Sequence, residues 1–307
     1  MTLHQLLAKW SPRFAGLFSP RERAIADLEA ELLLAHVLKC DRSHVIAHES
    51  DAMDPQAVRA FERLAKRRLA HEPMAYLLGR REFYGREFLT DKCALIPRPE
   101  TEVLIARAHA ILKPHPSDTL VWDVGTGSGA IATTVALERP EADILATDID
   151  PRALALAGKN AKRFNVKTIR FLKADLLDRS VKKILTASPV RRLLVLANLP
   201  YLPLSDKKNL DLDVTKYEPS QALFTKENGL YLIHRLLKQL SDFRTKVRLI
   251  KSMSILLEFD PPQAHALVDL VKKYFPRARV SVHQDECGRD RVLEIISPAP
   301  QTRGRRS

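Results

Sequence analysis

Asn198-Leu199-Pro200-Tyr201 has the residue types to hold a planar NH2 group. The Asn198 side-chain oxygen and the backbone carbonyl of Leu199 are both acceptors, so together they can take the two N–H bonds of one amino group. Pro200 fixes its own φ and biases Leu199 toward an extended conformation, which holds that carbonyl in place. Tyr201 offers a ring that can lie against a flat guest. The apolar run Leu193–Ala197 precedes the tetrapeptide and reads as a buried strand, so the four residues fall at a strand's carboxyl end.

A second cluster lies upstream. Asp123-Val124-Gly125-Thr126-Gly127-Ser128-Gly129 follows one candidate strand and opens a candidate helix. Glycines at every second position allow positive φ and close approach of backbone to a ligand. The blander possibility is a tight strand–helix turn with no ligand. The spacing G-x-G-x-G is not the dinucleotide fingerprint G-x-G-x-x-G, and the Lys-Ser/Thr of a phosphate-binding loop is missing. Asp148 ends the next strand, where an acid can accept from both hydroxyls of a ribose. It could instead cap the helix starting at Pro151, a role Asp150 fills better. Asp175 follows the third strand and can accept from the exocyclic amine of an adenine, or again serve as a cap. A glycine loop, a ribose acid, an adenine acid and a strand-end Asn-x-Pro-Tyr thus occur in order at carboxyl ends of strands, where open α/β sheets bind ligands. That is the layout of a Rossmann-like methyltransferase using S-adenosyl-L-methionine.

The elements needed to place these residues can be read from periodicity. Strands are expected at 119–124, 143–147, 168–172, 192–197 and 253–258, and helices at 129–138, 151–164 and 228–240. Such alternation predicts an α/β fold with a parallel sheet and helices on both faces. Arg279–His283 and Arg291–Ile296 flank Gly288 and predict an antiparallel hairpin finishing the sheet. Ahead of this, Leu3, Leu6, Leu7 and Trp10 have helical spacing. Ser19-Pro20-Arg21-Glu22 reads as a capping box opening a helix to about Lys39. Asp54-Pro55 opens another helix, with Val58, Phe61, Leu64 and Leu69 on one face. Phe83-Tyr84-Gly85 and Glu87-Phe88-Leu89 read as a hairpin, and a helix is expected from near Glu100. The expected division is a helical substrate-recognition domain over 1–78, a linker hairpin over 79–98, a methyltransferase domain over 99–298 and a basic disordered tail over 299–307.

Composition narrows the class. The chain has 307 residues, 45% hydrophobic and 28% charged, ordinary for a globular protein. No apolar run approaches the roughly 20 residues of a membrane span. Cys40, Cys93 and Cys287 form no C-x-x-C, which argues against a disulfide scaffold or a zinc site and fits a reducing cytosol. Of 50 Lys/Arg and 37 Asp/Glu, residues 1–80 hold 12 and 10, so nearly all of the +13 net charge lies beyond them, including Arg303-Gly304-Arg305-Arg306. The excess suits an acidic partner or RNA contact through the tail, or simply solubility; aromatic residues do not interleave the basic ones as in a single-strand binder. The first 21 residues lack acids, as a transit peptide would, but their apolar spacing favours packing on the helices that follow.

Beyond these motifs, the chain carries Glu72-Pro73-Met74-Ala75-Tyr76-Leu77-Leu78-Gly79, Arg81-Glu82-Phe83, Leu95-Ile96-Pro97-Arg98-Pro99-Glu100-Thr101-Glu102, Tyr217-Glu218-Pro219, Leu256-Leu257-Glu258 and Gly288-Arg289-Asp290-Arg291-Val292. With this set it resembles, over nearly its whole length, the PrmC/HemK family of glutamine N5-methyltransferases that modify peptide-chain release factors. The resemblance implies S-adenosyl-L-methionine as cofactor, the glutamine of a Gly-Gly-Gln motif as substrate and release factors as partners; with the cysteine usage this gives a cytoplasmic enzyme, for which a monomer is the plainest expectation. It places the cofactor loop on Gly125, Thr126, Gly127, Ser128 and Gly129 with Asp123, the ribose acid on Asp148, and the adenine contacts on Asp175 and Leu176. The substrate-amide clamp falls on Asn198, Leu199, Pro200 and Tyr201, with Asn198 also close to the cofactor, and the substrate-pocket wall on the segment containing Arg98 and Glu102.

Three positions depart from the family pattern. Leu199 stands where a proline is usual, keeping the carbonyl but losing rigidity. Leu176 replaces an aromatic residue. Phe259-Asp260 replaces His-Gly after Glu258. Asn-Leu-Pro-Tyr also suits an adenine N6-methyltransferase acting on RNA or DNA, because adenine presents a comparable NH2 group. The glycine loop and clamp would equally serve a ribosomal-protein glutamine methyltransferase, and a binding module with a degenerate cofactor site lies outside the enzyme class altogether. Pro97–Glu102 and the helical N-terminus favour release factors.

Overall fold

Every residue of Thr119–Val124 is buried, as expected of a strand covered by helices on both faces. The computed structural model describes residues 1–19, 22–115, 117–189, 191–247 and 250–298. Pro20, expected at a helix start, and the basic tail 299–307 lie outside the described residues.

The chain divides into two compact units, Met1–Arg81 with Leu210–Tyr217, and Glu82–Asn209 with Glu218–Ser307. In the first, helices Leu3–Phe14, Ala24–Leu38 and Pro55–Leu69, with the shorter Arg42–Ala47 and Met74–Leu78, enclose a core that includes Leu6, Trp10, Phe14, Leu33 and Phe61. Thr2 closes a full capping box with Gln5. Among the described residues no backbone-to-side-chain bond of the box expected at Ser19 is present. The Ser19 hydroxyl donates instead to the Glu22 carboxylate at 2.7 Å, and the α-helix starts later, at Ala24, with no side-chain cap.

The second unit is built on a seven-stranded sheet. Its strands are β1 (Thr119–Val124), β2 (Asp143–Asp148), β3 (Ile169–Lys173), β4 (Arg192–Ala197), β5 (Ser252–Glu258), β6 (Arg279–Gln284) and β7 (Asp290–Ser297), in the order β6-β7-β5-β4-β1-β2-β3. The first five run parallel, whereas β7 is antiparallel to both β5 and β6. This is the parallel sheet finished by an antiparallel hairpin that the sequence predicts. Alternate residues feed opposite faces. Leu120, Trp122, Leu193 and Val195 join a core with helices Arg179–Ala187, Tyr231–Lys246 and Ala264–Tyr274. Val121, Leu194 and Leu196 join another with Glu102–Leu112 and Ala130–Glu138. Helices Arg179–Ala187 and Ala264–Tyr274 are not among the sequence-based expectations. The second follows Pro261-Pro262, where Asp260 and Gln263 form a capping box.

Strand order reverses between β1 and β4, so their carboxyl ends splay into a crevice. The glycine loop leaves β1 there and Asn198 leaves β4, with Asp123 paired to Leu196 one residue earlier in the register. The hairpin Arg80–Phe83 and Arg86–Leu89 leads from the helical segment toward Leu95–Glu102, which closes with the 3-10 turn Pro99–Thr101.

Candidate active site

The three loop glycines lie at positive φ, 73° at Gly125, 56° at Gly127 and 77° at Gly129. That region is costly for side chains and leaves the loop to glycine. Space adds to the constraint: a Cβ on Gly129 would lie 2.8 Å from the Ala157 Cβ, and one on Gly125 would lie 3.0 Å from Leu199. The loop is tied from outside by buried Asn160, whose Nδ2 donates to the Ser128 carbonyl at 2.8 Å while its Oδ1 accepts from the Leu89 N–H at 2.7 Å.

A cavity of about 300 Å³ opens against this loop, lined by Gly125, Gly127, Asp148, Asp175, Leu176 and Asn198 among others. It also takes in Leu199 and Pro200. The Asp148 carboxylate accepts from the Gly127 N–H and the Asp150 N–H, both at 2.9 Å, one on each oxygen. An ionised carboxylate has about four acceptor sites, so each oxygen keeps capacity for a ribose hydroxyl. Burial raises the Asp148 carboxyl above its ordinary value. Asp150 caps the following helix, and its hydrogen bond from Arg152 holds its carboxyl down to about 2. Asp175 lines the cavity but is already paired with Arg235 at 2.9 Å. Leu176 is buried with φ 50°, a left-handed conformation costing roughly 1–2 kcal/mol for a non-glycine residue. The Asp148 carboxylate as acceptor and the apolar walls fit the ribose and base of a nucleoside.

Asp123 does not reach this cavity. It is fully buried beneath the loop, where its Oδ2 accepts from the Thr126 hydroxyl at 2.6 Å and the Ala132 N–H at 3.2 Å. Burial pushes its carboxyl up to about 7. Its place is to brace the loop against the helix that follows. Thr126 and Ser128 line a smaller neighbouring cavity, of about 50 Å³, with Phe83, Ile96, Pro97, Arg98 and Thr101. Gly129 caps the helix Ala130–Glu138.

Asn198 borders both cavities. Its Nδ2 donates to the Thr101 Oγ1 at 3.0 Å, and its side-chain oxygen has no hydrogen-bond partner among the described residues. Leu199 is buried and packs into the core beside Gly125. Tyr201 lines neither cavity. Its hydroxyl donates to the buried Glu258 at 3.1 Å and its partly buried ring packs against the core, so it anchors the loop. Burial pushes the Tyr201 hydroxyl up. Arg98 pairs with Glu218, which also accepts from the Ile96 N–H at 3.2 Å, so this arginine holds the pocket wall in shape. Glu102 sits elsewhere: it accepts from the Tyr84 N–H at 2.8 Å and lines a separate cavity with Glu100 and Glu286.

Several positioning residues carry no expected role in the sequence. Gln263 donates to both the Tyr201 carbonyl at 2.7 Å and the Asn228 carbonyl at 2.9 Å. Thr101 and Glu258 stand behind Asn198 and Tyr201, and Glu218 behind Arg98. Thr101, Glu218 and Glu258 occur within the resembling segments, which was the available signal; for Gln263 it was the capping pattern with Asp260.

Residues 7–79 match the PrmC N-terminal domain, and residues 101–183 match a precorrin methyltransferase domain, a stretch that carries the glycine loop and Asp148. A release factor glutamine methyltransferase of Neisseria gonorrhoeae is 37% identical over 268 residues, which is 86% of this chain and 91% of that one. One from Cereibacter sphaeroides is 35% identical over 271 residues, 88% and 91% of the two chains. The solved human hMettl16 catalytic domain, in complex with a MAT2A 3'UTR hairpin, aligns with a TM-score of 0.54 at 17% identity over 81% of this chain and 83% of that one, a likeness of fold alone.

Proposed function

The chain belongs to the release factor glutamine methyltransferases, and on that premise we propose that it methylates the side-chain amide nitrogen of the glutamine in the Gly-Gly-Gln motif of peptide-chain release factors. The observation that carries this reading is Asn198, which borders two cavities with its NH2 turned toward Thr101 and its oxygen without a partner among the described residues. S-adenosyl-L-methionine, held by the glycine loop and Asp148, supplies an electrophilic methyl on a sulfonium.

A carboxamide nitrogen is a poor nucleophile because its lone pair is delocalised. Here the Asn198 oxygen and the Leu199 carbonyl accept its two N–H bonds and aim the nitrogen at the methyl. Positioning of this kind is worth several kcal/mol. As positive charge develops on nitrogen, the same two acceptors stabilise it. The excess proton leaves to water after transfer. Glu218 and Arg98 keep the wall of the smaller cavity in place, and Gln263 and Tyr201 hold the clamp from behind. The helical unit 1–78 serves substrate recognition in this reading, with 79–98 as linker and 99–298 as the catalytic part.

Incubation with labelled S-adenosyl-L-methionine and either a release factor or ribosomal RNA tests the assignment. Label is expected in the release factor and lost when its Gly-Gly-Gln glutamine is replaced by alanine; label confined to RNA overturns it. Asn198→Ala should lower the transfer rate by about a hundredfold or more, with binding of S-adenosylhomocysteine changed only a few-fold. Wild-type turnover in that variant rejects the clamp.

A further inference from the structure

The helix Pro55–Leu69 sorts its side chains onto two faces. Phe61, Ala65 and Arg68 are buried. At about 100° per residue, Arg59, Arg63 and Lys66 fall within an arc of roughly 60° on the opposite side. All three are exposed. None of them makes an ion pair or a side-chain hydrogen bond among the described residues. Glu62, the one acid of this helix, is taken by Lys9 at 2.6 Å, and Lys66 attracts it only from beyond ion-pair distance. The remaining cations of the helix are engaged inside the unit, Arg67 with Glu72 and Arg68 with Glu29 and Asp213. Lys216, from far along the chain, donates to the Ala70 carbonyl at 3.1 Å and adds a fourth exposed cation just past the last turn.

Folding does not account for this row. Like charges three and four residues apart oppose a helix. The partial negative charge at a helix C-terminus favours Lys66 and Lys216, but it fades within one turn and does not reach Arg59 or Arg63. Nor does the row belong to a general excess. This helix holds five Lys/Arg and one Asp/Glu, whereas the rest of residues 1–80 holds seven and nine.

Resting on the reading of the chain as a release factor methyltransferase, we propose that Arg59, Arg63 and Lys66, continued by Lys216, are the docking face for an acidic surface of the release factor. The Gly-Gly-Gln motif carries no charged side chain, so the row meets another part of the substrate. A protein is favoured over RNA for two reasons. No aromatic residue stands among Arg59, Arg63 and Lys66 to stack on bases. The three also span only about 10 Å, one short patch and not a track along a strand. Charge of this kind steers and orients the encounter, so it acts on the KM for release factor and not on methyl transfer.

The test uses the full-length protein, S-adenosyl-L-methionine and a whole release factor. Arg59→Glu with Arg63→Glu should raise the KM for release factor about tenfold or more, with kcat and the Kd for S-adenosylhomocysteine within about twofold. Arg59→Gln with Arg63→Gln should raise it less, and added salt should raise the wild-type KM more steeply than that of either double variant. Lys182→Glu with Lys183→Glu, on the helix Arg179–Ala187, makes the same change in net charge and should leave the KM near wild type. A short peptide carrying Gly-Gly-Gln should be methylated equally by wild type and by the Arg59/Arg63 variants. A wild-type KM in the Arg59/Arg63 glutamate variant, an equal rise in the Lys182/Lys183 variant, or an equal loss with the short peptide overturns the docking face. So does binding of ribosomal RNA that weakens in the Arg59/Arg63 variant while the KM for release factor is unchanged. Titration calorimetry with the release factor separates the two readings. Binding that depends on Arg59 and Arg63 without methyl transfer rejects the assigned substrate reaction and leaves the docking face standing. Methylation with unchanged KM and unchanged binding rejects the docking face alone.

Discussion

Asp123 shows how a residue's type can be legible while its task is not. An acid before a glycine loop suggests a ligand contact, but this carboxylate is sealed under the loop with one oxygen bonded to Thr126 and Ala132 and the other without a donor among the described residues. Burial raises it to about 7. A folded-state value above the unfolded one stabilises fully below the unfolded value near 4, and that contribution is lost as pH rises through about 7. Asp123→Asn keeps an accepting oxygen for Thr126 and removes the titration. The stability difference between wild type and Asp123→Asn should therefore shift by about 2–3 kcal/mol between pH 5 and pH 8, in favour of the variant at the higher pH. Urea unfolding at the two pH values measures it, and a pH-independent difference would contradict the buried, titrating state. Tyr201 repeats the lesson. Its ring suits a flat guest, yet its hydroxyl found Glu258, a partner that only the fold brings near. The placement of Asp148 and Asn198 was readable because strand ends at a switch point fix where such residues face, whatever packs behind them.

Elements that follow from one apolar pattern were readable, and those that depend on distant ties were not. The runs 119–124 and 192–197 are apolar nearly throughout, which only a doubly covered strand needs, and both form strands with those bounds. The helix Ala264–Tyr274 was hidden because Pro261-Pro262 reads as a break, although proline also opens helices. The loop before Tyr231–Lys246 is the clearest case of a distant tie. Glu227, Asn228 and Gly229 are all at positive φ, at 55°, 51° and 85°, a run that suits the asparagine and the glycine but not Glu227. It is held there by Gln263, which bonds the Asn228 carbonyl and the Tyr201 carbonyl together. A Cβ on Gly229 would land on that Tyr201 carbonyl. Gly229→Ala should thus push the clamp loop as well as strain its own backbone. Expected are a loss of about 1–3 kcal/mol in stability and a fall in turnover larger than that of Gly288→Ala. Gly288 is also left-handed but has open space around its Cβ position, so it reports backbone strain alone. Equal effects on turnover in the two variants would mean that Gly229 has no bearing on the clamp.

At the scale of the whole chain, the sequence order of the two units is interrupted. Leu210–Tyr217 groups with Met1–Arg81, far from it in sequence. The motif Tyr217-Glu218-Pro219 straddles that change: the Tyr217 hydroxyl donates to the Ala70 carbonyl at 2.8 Å, while Glu218 holds Arg98 and the Ile96 N–H. No local pattern marks such a boundary, because each half of the motif is explained by a partner more than a hundred residues away. Within the helical unit the segment is secured by Arg68, which is 4% exposed and pairs with Glu29 at 2.6 Å and Asp213 at 2.8 Å. Arg68 falls seven residues after Phe61, on the buried face of its helix, and that spacing was a readable sign that this arginine is internal. Its neighbour Arg67 pairs with Glu72 at 2.8 Å but is 46% exposed. The two arginines separate burial from pairing. Arg68→Ala leaves buried Glu29 and half-buried Asp213 without their cation and should cost about 3–5 kcal/mol. Arg67→Ala removes a half-exposed cation from the buried carboxylate of Glu72, which it holds through two hydrogen bonds, and should cost less than Arg68→Ala, about 1–3 kcal/mol. Differential scanning calorimetry gives both values. Trypsin should cut Arg68→Ala faster at Lys207, Lys208 and Lys216, which flank or lie in the released segment, and leave Arg67→Ala near wild type. Equal melting temperatures and equal cleavage in the two variants would mean that Leu210–Tyr217 is held by the Lys216 and Tyr217 side chains, which donate to the Ala70 carbonyl, and not by the buried charge at Arg68.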